Sequence, residues 1–190
     1  ALNSYLDCQL RFYLRYVAGL QAPEEVSAEI DSVTFGSIFH KSAEYIYQDL
    51  TGHGNLITKE QIESLLKDQI RLESYVDRAF KELFFRLPEN ERPEYNGTQL
   101  INSAVIVRYI KQLLRHDMKV APFHYVASEK SVSEEVTIHH PSGDFKTRVG
   151  GIIDRMDTQG DTLRILDYKT GGKPDMPPSV ESLFIPSKNR

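Results

Sequence analysis

The sequence predicts one α/β domain in which helices come first and a chemistry-bearing β-sheet comes last. Three observations lead there. Up to about residue 120, apolar residues recur at three- and four-residue steps, the spacing of amphipathic helices. From Pro122 the period shortens to two, in β-branched and aromatic runs bounded by Gly, Pro and Asp. Two late runs, Ile152-Ile153 and Ile165-Leu166, each end in a carboxylate, Asp154 and Asp167. At 190 residues a single core is the default. A chain 40% hydrophobic and 26% charged is neither a disordered nor a membrane-spanning composition.

The elements follow in order. Leu2 to Leu20 is expected as one amphipathic helix, with Tyr5, Leu6, Leu10, Tyr13, Leu14 and Val17 on its buried face. Asn3 or Ser4 can cap its start, and Gly19 suits its end. Cys8 falls among these residues and is expected as a small buried hydrophobe. Arg11 and Arg15 form a ridge that reads either as a solvated face or as a phosphate contact. Residues 21–33 read as a loop, and a second helix runs from about Phe35 to Leu50 with His40 among its apolar positions. A lone His there is ordinarily a satisfied boundary residue. His53, His116, His124, His139 and His140 get that reading too.

Thr58 and Gln61 make a capping box that opens a helix expected to reach Leu87, where the Pro88–Pro93 stretch breaks it. Residues 97–120 form another helix, whose Arg108, Lys111, Arg115 and Lys119 make a basic stripe. That stripe is either a solvated face or one wall of a groove that tracks a nucleic-acid backbone. Two strands, 123–127 and 132–138, then lead through a turn at Pro141–Asp144 into a hairpin that reverses near Gly160 and Asp161. After Gly171 a loop is expected.

The hairpin carries the chemistry. It sets Asp154 and Asp167 opposite or diagonal, with cross-strand Cβ atoms roughly 4.5–5.5 Å or about 7–8 Å apart. Lys169, two residues on, shares a face with Asp167. Converging carboxylates repel and lose hydration when buried. A divalent cation such as Mg²⁺ relieves both, since it takes one or two carboxylates and keeps several waters. Lys169 beside it can orient a water or offset charge on a phosphate. The plainer reading is an ion pair of Lys169 with one Asp, which leaves the second acid unexplained.

Gly151-Ile152-Ile153-Asp154-Arg155-Met156-Asp157 followed by Ile165-Leu166-Asp167-Tyr168-Lys169-Thr170-Gly171 resembles the active-site signature of the PD-(D/E)XK nuclease superfamily, in its RecB/AddB-type exonuclease branch. Asn3 to Tyr16 is similar to the branch's opening helix, and Gly36 with His40 to its Gly-x-x-x-His motif. The resemblance implies a restriction-endonuclease-like core, a mixed β-sheet flanked by helices, with a helical insertion. Residues 1–54 would supply the core's first helices, 55–120 the insertion, 121–170 the catalytic sheet and 171–190 a loop leading onward. It implies a Mg²⁺- or Mn²⁺-dependent DNA exonuclease acting in repair or recombination. Asp154, Asp167, His40 and the Tyr168 carbonyl would hold the metal, and Lys169 would join the two acids in catalysis. Glu129, which matches an acid often seen at this point in the family, would support the site or a second metal, against the plainer reading of a surface Glu. Arg155 would support the site. If the basic stripe lines a groove, Arg108, Lys111 and Arg115 are its DNA contacts.

The implied partners are DNA and helicase or other domains of a larger polypeptide or complex, with no membrane. Relatives continue into a Gln-x-x-x-Tyr helix that has no match before Arg190, and the first residue is not Met, so a piece of a longer polypeptide is expected. The rival reading is an inert DNA-end-binding or scaffold module on the same fold. CRISPR-associated adaptation nucleases share the core but carry a four-Cys cluster, and one cysteine cannot build an iron–sulfur cluster. A net charge of −4 gives no global basic field. One cysteine and no apolar run of membrane-spanning length point to a reducing, cytoplasmic setting.

Overall fold

The computed structural model describes residues 2–20, 29–52, 54–88, 91–172, 179 and 182. His53 lies outside the described residues. The chain divides into two units, Ala1–Ala28 with Gly172–Arg190, and Glu29–Gly171.

In the first unit the expected single helix is broken. Helix α1 spans Leu2–Asp7 and α2 spans Gln9–Phe12, which continues into a π-helical turn at Tyr13–Val17. Cys8 causes the break: its backbone is extended (φ −160°, ψ 106°) and its Sγ accepts from the Arg11 N–H at 3.5 Å. A helix interior has no place for that conformation, whereas an N-cap requires it. Cys8 is thus an exposed cap, not the buried hydrophobe its surroundings indicated. Tyr5, Leu10, Tyr13, Leu14 and Val17, expected on a buried face, are likewise exposed. Gly19 ends the unit's helical stretch in the left-handed region, φ +67°.

The second unit is built on α3, Ser32–Leu50. Asp31 caps it by accepting from the Thr34 N–H at 2.6 Å. Its buried residues Ile38, Phe39, Ala43, Ile46, Tyr47 and Leu50 recur at three and four and make one continuous apolar face. Strand β1 is the two-residue Leu56–Ile57, and α4 follows at Lys59–Lys67 behind the Thr58–Gln61 capping box. The helix expected to run unbroken to residue 87 stops at Asp68. There the side chain accepts from the Arg71 N–H at 3.0 Å and starts α5, Gln69–Phe80. Asp does this because its short carboxylate competes with the helical ladder for nearby N–H groups. A π-helical turn, Lys81–Phe85, ends at Arg86 with φ +52°.

Helix α6 spans Gly97–Val120 behind a second capping box, Asn96 with Gln99. Ile106, Ile110 and Leu114 from α6 join Leu72, Val76 and Phe80 from α5 and Ile38 and Ile46 from α3 in one core. Residues 55–120 therefore share their apolar centre with α3.

Strands β2 (Phe123–Ile138), β3 (Phe145–Gln159) and β4 (Thr162–Leu166) complete a four-stranded sheet ordered β1-β2-β3-β4. Among the described residues every pairing is antiparallel. β2 is one strand where two short ones were expected, with a bulge between Tyr125 and Ala127. Gly160, at φ +55°, supplies the left-handed residue that turns β3 into β4.

A buried ionic network fixes the sheet to α6. Arg155 and Asp117 are both 0% exposed. Arg155 donates to Asp117 through Nη1 at 2.6 Å and Nη2 at 3.0 Å, and the Tyr47 hydroxyl donates to the same carboxylate. Arg155 Nε lies 3.0 Å from Asp157 Oδ2 without the alignment of a hydrogen bond, so that contact is Coulombic. Arg164 Nε donates to the other Asp157 oxygen at 2.5 Å. Burial opposes the Arg155 charge, but Tyr47 and Asp117 beside it outweigh that and hold the guanidinium protonated. Its plane sits over the rings of Tyr47 (4.4 Å) and Phe123 (5.3 Å). No helix among the described residues is long and apolar enough to cross a membrane.

Candidate metal and nuclease site

Four pieces of chain meet where β4 ends, part-way along the β2–β3 ladder. From α3 comes His40, one turn beyond Gly36, so both lie on the same helix face. A Cβ on Gly36 would stand 3.3 Å from Thr170 Oγ1. Glycine lets α3 lie this close to the segment following β4 without displacing the Thr170 side chain. His40 then reaches the same segment: Nε2 is 3.2 Å from the Tyr168 carbonyl. Tyr168 is held between rings, edge-on to Phe39 and to His40 with centroids 5.6 Å away in each case. Burial raises its phenol pKa above the usual range, keeping the hydroxyl neutral.

The acids are brought in by strand register. Ser128 pairs with Arg155 and Lys130 with Ile153, which sets Glu129 of β2 across from Asp154 of β3. Like charges placed so oppose folding. Glu129 also holds φ +48°, a left-handed conformation that costs a residue with a Cβ about 1–3 kcal/mol. Asp154 is 9% exposed, and its Oδ2 accepts from the Tyr168 N–H. That bond leaves Oδ1 facing His40, 3.6 Å from Nδ1, while Glu129 Oε1 lies 3.3 Å from Nδ1.

The proton count on the imidazole matters. A carbonyl only accepts, so the contact with Tyr168 is a hydrogen bond when Nε2 carries the proton. In the neutral ring Nδ1 then points its lone pair at two carboxylate oxygens. Three acceptors converging in this way call for a cation among them. One ligand atom each from His40, Glu129 and Asp154 lie within 4.8 Å of one another. An imidazole nitrogen with two carboxylates suits Mg²⁺ or Mn²⁺ better than a thiolate-seeking metal. The residues present therefore fit a hard divalent ion.

The remaining candidates are distributed around this centre. Asp167 follows the last β3–β4 pair, Arg155 with Leu166, and so continues the register opposite Asp154. Its carboxylate is not one of the three converging groups: Lys169 Nζ holds it at 2.7 Å. Both side chains of that pair are more than 60% exposed, where an ion pair contributes little and is readily exchanged. Arg155 lies not at this centre but in the buried network with Asp117. On α6, Arg108, Arg115 and Lys119 are exposed, whereas Lys111 is half-buried and donates to Gln69 on α5. Asp117 and Tyr47 escaped sequence reading. The available signal was a carboxylate three residues past Leu114, in phase with the apolar face of α6, and a lone Arg within a strand.

A family model described as the PD-(D/E)XK nuclease superfamily matches residues 1–184. The chain belongs to this superfamily. Its helices packed on a curled antiparallel sheet fit a PD-(D/E)XK nuclease fold, and the signature residues sit together where β4 ends against β3. Over 173 residues the chain is 25% identical to an ATP-dependent helicase/deoxyribonuclease subunit of Streptococcus uberis. That match covers 90% of this chain and 13% of the relative, so the chain spans about an eighth of that protein's length.

Proposed function

We propose that this chain is a metal-dependent DNA exonuclease domain of RecB/AddB type, acting in repair or recombination beside helicase domains in the cytoplasm. The observation that carries the reading is the convergence of His40 Nδ1, Glu129 and Asp154 beside the Asp167–Lys169 pair. Membership of a nuclease superfamily supports phosphodiester hydrolysis. The relative's name, which joins a helicase to a deoxyribonuclease, supports DNA as substrate and a larger assembly as the setting.

His40, Glu129 and Asp154 hold the ion, with Asp167 and the Tyr168 carbonyl next to them. Bound there, Mg²⁺ or Mn²⁺ supplies Lewis-acid stabilisation of phosphoryl charge and makes an attacking water more acidic. The Tyr168 N–H and carbonyl orient Asp154 and His40 respectively, the outer contacts that fix ligand geometry. Lys169 is aimed by Asp167 and places its ammonium where negative charge grows on the reacting phosphate. Arg108 and Arg115 on α6 contact the DNA backbone, with Lys111 behind them on the α5 side.

The test is cleavage of end-labelled DNA with Mg²⁺. Asp154→Asn and Asp167→Ala each abolish it, and Asp154→Asn also removes Mn²⁺ binding in titration calorimetry. Parental cleavage by Asp167→Ala would refute the assignment of that carboxylate. Mn²⁺ binding by the parental protein with no cleavage of any DNA end would instead identify an inert end-binding module.

A further inference from the structure

A cleft of about 320 Å³ opens beside Lys169, between α3, α6 and the segment that follows β4. Phe39 of α3, Tyr109, Gln112 and Leu113 of α6, and the Lys169–Gly171 segment line it. The Tyr109 ring is fixed by an edge-on contact with Phe35, centroids 6.0 Å apart. Phe39 is fixed in the same way against Tyr168. The lining is thus two anchored aromatic rings, an aliphatic side chain, one neutral amide and Thr170 with Gly171, and Lys169 is its single charged residue. Such a site takes a flat, neutral, aromatic group that carries a phosphate on the lysine side.

The exposed face of α6 extends the argument. Arg108, Gln112 and Arg115 follow at four- and three-residue steps, so the arginines stand about a turn to either side of the amide that enters the cleft. Lys111 lies off this line, turned to Gln69. A basic track therefore passes the mouth of the cleft at Gln112.

We propose that the cleft receives the base and sugar of the nucleotide adjoining the phosphate that is cut, with Tyr109 as its stacking surface and Gln112 as its polar contact. This rests on the nuclease reading above and adds a base-holding subsite to it. At about 320 Å³ the cleft is at the small end of ligand sites and holds one nucleotide, not a base pair. The base must enter unpaired, since a paired base has first to leave its stack. Every base has a π-face and the Gln112 amide both donates and accepts, so the site tolerates any sequence.

Steady-state cleavage by the full-length protein with Mg²⁺ tests the proposal. The substrates are a single-stranded oligonucleotide and versions carrying one abasic residue at each of the first three positions from the attacked end. Tyr109→Ala raises KM on the intact strand about tenfold, the loss of one base–aromatic stack, with kcat within about twofold. Tyr109→Phe, which keeps the ring, recovers the parental KM to within about threefold. At one abasic position the parental KM rises by a similar factor and Tyr109→Ala adds nothing further. If Tyr109→Ala lowers the melting temperature, Gln112→Ala, at an exposed position, carries the same comparison. An unchanged KM for both variants on the intact strand, or an equal rise on intact and abasic strands, overturns the cleft assignment alone. Absence of any Mg²⁺-dependent cleavage by the parental protein overturns the nuclease reading and this proposal with it.

Discussion

Asp117→Ala is the sharpest test of what holds the site-bearing strand in place. Asp117 and Arg155 have no solvent exposure, and Asp117 accepts two guanidinium bonds and the Tyr47 hydroxyl. Truncating it leaves Arg155 buried with the poorly aligned Asp157 contact as its remaining ion pair beside the ring contacts. Removing one partner of a buried pair costs about 3–5 kcal/mol, because the surviving charge has no water to return to. For a chain of this size each kcal/mol lowers the melting temperature by about 2–4 °C, so a fall of about 6–20 °C is expected. Asp117→Asn, which keeps one acceptor oxygen, should fall between parent and Ala variant. Urea unfolding followed by circular dichroism gives the free energies directly. Because Asp117 is not at the metal centre, Mn²⁺ affinity measured below the new melting temperature should stay within about threefold. A loss under about 1 kcal/mol for Asp117→Ala would refute the idea that this network ties β3 to α6.

Further outcomes follow from the same geometry. Lys169→Ala should cut the cleavage rate about a hundredfold or more while leaving Mn²⁺ affinity intact, and calorimetry beside single-turnover kinetics checks both. Its exposed pair with Asp167 predicts a stability change within about 1 kcal/mol. Glu129→Gly should relieve the left-handed backbone at φ +48° and leave stability equal or higher, yet weaken Mn²⁺ binding about tenfold or more. Gly36→Ala should slow cleavage several-fold by pressing on Thr170 Oγ1, and adding Thr170→Ala should recover most of the loss. Separate additive penalties from those two changes would show that the close approach does not set the site.

Local rules visible in the sequence account for much of this fold, and tertiary contacts account for the rest. The Thr58–Gln61 cap, the span of α6 and the reversal at Gly160 are written in adjacent residues, and they stand where the pattern places them. The breaks at Cys8 and Asp68 were hidden, because apolar periodicity runs straight through both. What stops the helix there is a side chain choosing a backbone N–H over the ladder. The grouping of Glu129 with Asp154 was hidden for another reason. It depends on the bulge at Tyr125–Ala127, which shifts the pairing of every later residue in β2, and no spacing rule marks a bulge. Lys111 and Gln112 show the limit of periodicity on α6. Both neighbour the basic residues at helical steps, but packing against α5 decides that Lys111 turns inward and Gln112 faces the cleft.

The convergence of one imidazole and two acids on a single cation is best tested by pulsed electron paramagnetic resonance of the protein loaded with one equivalent of Mn²⁺. The spectrum should carry the nitrogen coupling of a single imidazole, and His40→Gln should remove it. Tightly bound Mn²⁺ with no imidazole coupling, or a coupling that survives in His40→Gln, would contradict the account.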